Sequence, residues 1–105
     1  MKNYTFSVNA MYRKKRGTNN SRKIRLKNKF PSVIYGHEPR ISIPITLDHD
    51  TVFHLQKNKN FYLKNIKIKI NLDVYFVKIK NVQWHPFKQK LLHIDFIIIN
   101  NNTII

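Results

Sequence analysis

Alternation of apolar and polar residues along most of the chain constrains its fold more than any other feature of the sequence. From residue 4 to residue 10 the apolar side chains fall at even positions, and in ISIPITL (41–47) Ile41 starts a second alternating run. A period of two residues is typical of a strand with one buried and one exposed face. We therefore expect two strands with Ile41 and the other alternating apolar residues inward. Pro44 lacks a backbone N–H, so it indicates an edge or a bulge.

Two further alternating segments predict a hairpin. IKIKI (Ile66–Ile70) and YFVKIK (Tyr75–Lys80) are separated by Asn71-Leu72-Asp73, a connection short enough for antiparallel neighbours. The alternation turns four lysines outward: Lys67, Lys69, Lys78 and Lys80. Exposed lysines also protect strand edges, so they need not contact a ligand.

Two short helices are predicted between the strands. Ser21 is a suitable N-cap for RKIRLKNK (22–29), which should end before Phe30-Pro31 because a residue preceding proline avoids helical backbone angles. Asp48 or Asp50 can cap TVFHLQK (51–57) in the same way. With 105 residues, the chain is predicted to form one all-β domain, a barrel or sandwich with two short helices, and to end in a frayed tail from about residue 100.

Basic residues dominate the charge of the chain. It carries 20 Lys and Arg against 5 Asp and Glu, a formal net charge of +15. Self-repulsion of this size favours a polyanionic partner, above all a nucleic acid. A solvated basic surface and an anionic membrane surface remain as alternatives.

Several classes of protein are excluded or disfavoured by the composition. The absence of cysteine excludes a disulfide framework and a zinc ribbon. The start MKNYTFSVNA lacks the apolar stretch of a signal peptide, and the longest apolar run, Phe96 to Ile99, is too short to cross a bilayer. We therefore expect a cytoplasmic protein with no membrane partner.

A dense basic run supplies candidate phosphate contacts in the first third of the chain. Its members are Arg13, Arg16, Arg22, Lys23, Arg25 and Lys27. Such a run fixes position and affinity on a nucleic acid but reads no sequence. Tyr35 follows the segment SVI and is expected to emerge beside this run, where it could stack or hydrogen-bond on a sugar edge. The alternatives are a solvated basic face and a core tyrosine.

The segment LLHIDF (91–96) places one of the few acids beside a histidine. Period two sends Leu92, Ile94 and Phe96 to one face and His93 and Asp95 to the other. Phosphate repels an aspartate, so an aspartate is expected to persist at an RNA surface where it accepts a specific hydrogen bond, for example from a base amino group or a 2′-hydroxyl. The alternative is a salt bridge from Asp95 to a lysine that merely orients His93.

Catalytic and metal-binding alternatives have weaker support. A nuclease needs a histidine pair or a carboxylate cluster on a metal; His85 and His93 are available, but no carboxylate cluster is. The run Asp48-His49-Asp50 with His54 suggests a metal site, although helix capping explains these residues better. Trp84 can stack on a base or pack at a strand end.

Three longer motifs carry a family resemblance. They are SRKIRLKNKFPSVIYG (21–36), LDHD (47–50) and VQWHPFKQKLLHIDF (82–96). In this order, and across a stretch from about Phe6 to Phe96, the chain resembles the bacterial large-subunit ribosomal proteins that bind 5S rRNA. This family includes the general stress protein Ctc; the resemblance is to its short, single-domain form.

The resemblance implies a fold, a partner and a set of contacts. The implied fold is a six-stranded β-barrel with short helices, and the implied partner is the loop E region of 5S rRNA in the central protuberance of the large ribosomal subunit. The family's RNA-contacting positions correspond here to Arg13, Ser21, Arg22, Arg25, Tyr35, Gln83, His93 and Asp95. The chain departs from the family at Trp84, where a polar or basic residue is expected, and at Thr18-Asn19-Asn20, which lacks the expected glycine and lysine.

These observations predict a non-catalytic 5S rRNA-binding protein without a cofactor. In this hypothesis Arg13, Arg22 and Arg25 contact phosphates, and recognition of the site is assigned to Tyr35, Gln83, His93 and Asp95. The alternative is a generic single-stranded RNA-binding protein of the OB type without preference for 5S rRNA.

Overall fold

Six strands form a closed barrel in the computed structural model, which describes residues 5–13, 23–36 and 41–99. The strands are β1 Phe6–Tyr12, β2 Lys29–Tyr35, β3 Ser42–Asp48, β4 Ile66–Ile70, β5 Asp73–Trp84 and β6 Leu91–Ile98. Their order around the barrel is β1-β3-β2-β6-β5-β4. The pairs β1–β4 and β2–β6 are parallel and the other four are antiparallel. The predicted six-stranded barrel is therefore confirmed.

Three short helices accompany the barrel in the described part of the chain, where the sequence predicted two. They are α1 at 23–26, α2 His49–Leu55 and α3 Asn60–Leu63. Asp48 caps α2, because its Oδ2 accepts hydrogen bonds from the backbone N of Thr51 at 3.1 Å and from its Oγ1 at 2.8 Å. Of the two predicted caps, Asp48 is confirmed. The four-residue helix α3 is too short for periodicity to reveal.

The first helix ends earlier than predicted, at residue 26. Asn28 has a φ of 62°, a left-handed conformation that ends a helix, and β2 begins at Lys29. Phe30 and Pro31 follow the helix, as predicted, and lie within β2. The predicted N-cap, Ser21, lies outside the described residues, as does the predicted tail from about residue 100.

Apolar residues from all six strands fill the barrel. Among residues 5–13, 23–36 and 41–99, fourteen buried residues form one cluster: Val8, Phe30, Ile34, Ile45, Leu47, Val52, Phe61, Ile66, Ile68, Ile70, Val77, Leu91, Ile94 and Phe96. Their alternation along β1, β3 and β4 is the one predicted. Ile41 is an exception, since it precedes β3 and remains 43% exposed.

Pro44 lies where one ladder of the barrel stops. The last β1–β3 pair is Tyr12 with Ile45, and the carbonyl of Pro44 accepts from the backbone N of Arg13 at 3.0 Å. The missing N–H of Pro44 thus falls at the end of the β1–β3 pairing, where it disrupts no ladder bond.

The hairpin of β4 and β5 is confirmed, with a shorter turn and a longer second strand. Ile70 pairs with Asp73, so only Asn71 and Leu72 form the turn, and Asn71 adopts a φ of 56°.

No helix in the described ranges is long and apolar enough to cross a membrane.

Candidate nucleic-acid interface

A bulge in β5 determines which side chains reach the outer face of the barrel. Ile79 pairs with Phe96, and the next pair is Asn81 with Asp95, so Lys80 is an extra residue on β5. One additional residue reverses the alternation of every residue that follows it. Asn81 and Gln83 therefore face outward, although continued alternation from Ile79 would have turned them inward.

A second irregularity shifts the start of β6. Gln83 pairs with His93 and Trp84 pairs with Leu91, which leaves Leu92 without a partner in the ladder. Leu91 is buried, at 1% exposure, and Leu92 is only partly buried. The predicted assignment of Leu92 to the core face was wrong. Because of the bulge, the Leu91 side chain points into the core instead. The assignments of the rest of β6 hold: Ile94 and Phe96 are inward.

An open depression of about 340 Å³ gathers the outward side chains of three strands. It is lined by Tyr35, Asn81, Gln83, His93 and Asp95. β6 lies between β2 and β5 in the barrel, so the depression is centred on His93 and Asp95. Four of the residues singled out from the sequence are brought together here. Asn81 was not predicted. Without the bulge at Lys80, alternation along β5 would turn its side chain inward.

Tyr35 ends β2 on the outer face rather than in the core. Its neighbour Ile34 is fully buried, and alternation sends Tyr35 the other way, where it is partly buried. The Lys80 Nζ lies 5.1 Å from the centroid of the Tyr35 ring, within the range of a cation–π contact. The bulge residue thus places a positive charge at the depression.

His93 and Asp95 stand side by side on β6. The His93 Nδ1 and Asp95 Oδ1 atoms are 3.2 Å apart, and their side chains are 28% and 23% exposed. The approach lacks the angle of a hydrogen bond, and Asp95 Oδ1 is buried without a hydrogen-bond partner among the described residues. No lysine of ranges 5–13, 23–36 and 41–99 forms a salt bridge with Asp95. The alternative of an Asp95–lysine pair thus finds no support in these ranges.

The charge state of His93 follows from its surroundings. Partial burial lowers the pKa of His93 below the ordinary value of 6.5, and the positive charges of Arg13 and Arg25 lower it further, against the opposing effect of Asp95. His93 is therefore mostly neutral at pH 7, with one ring nitrogen as a donor and the other as an acceptor.

Arg25 links the first helix to the depression. Its Nη2 donates to the carbonyl of Leu92 at 3.2 Å, the residue that the second bulge leaves unpaired. Its Nε is buried without a hydrogen-bond partner among the described residues. Arg25 consequently has a structural role, holding α1 against β6, besides placing charge near His93.

Arg13 reaches the same face along one row of the barrel. Its backbone N bonds to Pro44, Pro44 pairs with Val33, and Val33 pairs with Asp95. The row crosses β3 and β2 on the outer face and leads to the depression. The remaining two predicted contacts, Ser21 and Arg22, lie outside the described residues.

The histidines of the alternative sites have local structural partners. The His49 Nε2 accepts from the backbone N of Leu91 at 3.0 Å, and its Nδ1 lies 3.3 Å from Asp50 Oδ1. The His85 Nδ1 accepts from the backbone N of Phe87 at 3.0 Å and of Lys88 at 3.1 Å. Both rings thus shape the backbone around β6. Within the described ranges, no group of three metal-ligating side chains is placed to hold an ion.

Trp84 packs at the end of the barrel. Its ring meets Phe53 of α2 edge-on, with centroids 6.0 Å apart, and it remains 38% exposed. Of the two interpretations of Trp84, the structure shows the strand-end contact.

Comparisons with known proteins match most of the chain. The sequence model of the Ribosomal L25p family matches residues 8–96. A large ribosomal subunit protein bL25 from Buchnera aphidicola subsp. Schizaphis graminum is 47% identical over 92 residues, covering 88% of this chain and 95% of the relative. The bL25 protein of Buchnera aphidicola subsp. Acyrthosiphon pisum (strain Tuc7) is 44% identical over 93 residues, 89% of this chain and 97% of the relative. That of Serratia proteamaculans is 42% identical over 91 residues, 87% and 96% of the two chains.

Together, the barrel and these matches define the class: a structural protein of the bacterial large ribosomal subunit. The chain belongs to the ribosomal L25p family. The resemblance to bacterial large-subunit ribosomal proteins is thereby confirmed.

Proposed function

We propose that this chain acts as a single, non-catalytic domain that binds the loop E region of 5S rRNA in the central protuberance of the cytoplasmic ribosome. The observation that carries the proposal is the depression centred on β6. It brings Tyr35, Gln83, His93 and Asp95 together on one face of a chain whose formal net charge is +15.

Electrostatic attraction supplies affinity and orientation. Arg13 lies at the end of the barrel row that leads to Asp95, and Arg25 bonds to Leu92 beside His93. Both charges are therefore placed to contact phosphates beside the depression. Arg22 would add a further phosphate contact. Such contacts hold the protein on RNA and make its affinity fall with salt, without discriminating between sequences.

The depression supplies discrimination. The minor groove of an RNA helix is wide and shallow and displays 2′-hydroxyls and base edges, so an open depression on a convex barrel can lie against it. The Asp95 side chain lines the depression and is 23% exposed, and His93 offers both a donor and an acceptor. An RNA that donates to Asp95 compensates the desolvation of the carboxylate, whereas an RNA that cannot do so leaves the carboxylate desolvated without a hydrogen bond.

Two other functions fit the observations less well. A nuclease would need His85 and His93 free for proton transfer, but the His85 Nδ1 accepts two backbone N–H groups. A generic single-strand binder of the OB type would rely on aromatic platforms for stacking. Five residues line the depression, and Tyr35 is the one with a large aromatic ring; the other four, Asn81, Gln83, His93 and Asp95, are polar.

A competition assay tests the proposal. Labelled 5S rRNA is displaced from the protein by unlabelled 5S rRNA or by tRNA at equal nucleotide concentration and physiological salt. We expect tRNA to compete at least about 100-fold less effectively, because the affinity of a specific protein–nucleic-acid complex typically exceeds that of a non-specific one by about 10³-fold or more. Equal competition by the two RNAs would support a generic binder, and cleavage of either RNA would support an enzyme.

A further inference from the structure

We propose that Asn81 determines specificity and that, paired with Asp95, it recognises the minor-groove edge of a guanine. The inference rests on the proposed function, because it names the group that the depression would recognise in the RNA. Recognition of a guanine edge requires a hydrogen-bond donor beside an acceptor, both on the outer face of the barrel.

The register sets the two side chains against each other. Asn81 is paired directly with Asp95 across β5 and β6, and directly opposed residues have Cβ atoms about 4.5–5.5 Å apart. The bulge at Lys80 brings Asn81 to this position, as described above. Both side chains line the depression.

The orientation of the Asn81 amide is fixed by the backbone. Its Oδ1 accepts from the backbone N of Val82 at 3.0 Å. An N–H can only donate, so the oxygen occupies that position and the two donors of Nδ2 point away from it. Within the described residues no hydrogen bond uses Nδ2. Asn81 therefore offers donors, and the neighbouring Asp95 carboxylate, whose side chain is 23% exposed at the depression, offers an acceptor.

Guanine complements this arrangement in the minor groove. Each base presents an acceptor there, N3 of a purine or O2 of a pyrimidine, but only guanine adds a donor, the N2 amino group. Asn81 Nδ2 would donate to N3 while the N2 amino group donates to Asp95. Adenine, cytosine and uracil have no amino donor at this edge, so they would cover the Asp95 carboxylate without giving it a hydrogen bond, and such an unsatisfied group rejects a ligand strongly.

Base analogues test each half of the contact separately. Guanosines in the loop E region of 5S rRNA are replaced one at a time by inosine, which lacks the N2 amino group, or by 3-deazaguanosine, which lacks N3. For wild-type protein, we expect one guanosine at which either replacement weakens binding by about tenfold, a typical effect of one specific contact. Because the protein is unchanged in this arm, misfolding cannot produce the result.

Two variants then assign the contacts. With Asp95→Ala, inosine at that guanosine should cause no further loss, and with Asn81→Ala, 3-deazaguanosine should cause none. Asn9→Ala is the matched control: Asn9 is exposed on β1, three strands from β6 in either direction around the barrel, and this variant should respond to both analogues as the wild type does. Thermal melting confirms that each variant is folded.

Three results would overturn the inference. One is an equal loss from each analogue in the wild type and both variants. Another is sensitivity at that nucleotide to 2′-deoxy substitution but not to inosine, which would assign the contact to the sugar. In both cases wild-type protein would still prefer 5S rRNA over tRNA, and the proposed function would stand. A wild-type protein without that preference would overturn the proposed function and this inference together.

Discussion

Replacing Asp95 by asparagine sets two effects against each other. The substitution raises the formal net charge from +15 to +16, so long-range electrostatics alone predicts tighter binding to any polyanion. Loss of a specific carboxylate acceptor predicts the opposite for cognate RNA. The structure favours the second effect, because the Asp95 side chain lines the depression and its 23% exposed fraction can meet an RNA placed there.

The magnitude follows from the kind of contact that is lost. A specific polar contact to a base is worth about 1–3 kcal/mol, or about 5- to 150-fold in affinity. Asparagine keeps one carbonyl acceptor, so Asp95→Asn should lie at the lower end of this range and Asp95→Ala at the upper end. Neither variant should weaken binding to tRNA, since that binding depends on phosphate contacts.

The assay measures the Kd of the wild type and both variants for 5S rRNA and for tRNA at one salt concentration. Asp50→Asn is the matched control for charge: the side chain of Asp50 is 78% exposed on α2, away from the residues that line the depression. It should bind both RNAs as well as the wild type or slightly better. If folded Asp95→Asn and Asp95→Ala also bind 5S rRNA as well as the wild type, Asp95 recognises nothing and its role is structural.

Three further substitutions have defined outcomes. Arg25→Ala should reduce the slope of log Kd against log salt by about one or less, because one phosphate contact is lost. It should also lower the free energy of unfolding by about 1–2 kcal/mol, because the bond to Leu92 is lost. An unchanged slope and an unchanged stability would contradict both roles. Asp48→Ala should cost about 0.5–2 kcal/mol in urea unfolding at pH 7. Hydrogen bonds from Thr51 lower the pKa of Asp48 below 3.8, so this difference should persist above that pH and disappear as pH falls through the lower, folded-state pKa. The folded-state pKa of His93 is also lowered, chiefly by burial, so wild-type stability should decline as pH drops below about 6.5. His93→Gln should decline less over the same range, and parallel curves would contradict the assignment.

The alternation of the sequence predicted most of the barrel because a half-buried strand imposes a period of two. It placed β1, β3 and β4 and their inward residues, with the exception of Ile41, which precedes β3. It could not predict the length of β5 or the inward place of Leu91. Both depend on bulges, at Lys80 and Leu92, and a bulge that adds one residue has no fixed composition outside glycine-containing types.

The same bulges limited what could be predicted of the site. His93 and Asp95 share a face by simple alternation, so their juxtaposition followed from LLHIDF alone. Tyr35 and Gln83 came from the family resemblance, and the topology β2-β6-β5 brings them to the same face. Asn81 could not be assigned to that face, because its orientation depends on the extra residue before it. The bond from Arg25 to Leu92 was equally inaccessible, since it joins residues that lie 67 positions apart.

Directed hydroxyl-radical probing tests the central claim, that the face centred on β6 lies against the loop E region of 5S rRNA. The chain has no cysteine, so a single introduced cysteine can carry an iron chelate at a chosen point. Gln89→Cys places it on the exposed loop between β5 and β6, and Asn9→Cys places it on β1, across the barrel. Both substitutions leave the charge unchanged. We predict that the complex with Gln89→Cys cleaves 5S rRNA within and beside loop E, while Asn9→Cys gives only background cleavage. Strong cleavage from Asn9→Cys with none from Gln89→Cys, or cleavage from Gln89→Cys scattered over the whole RNA, would contradict the account.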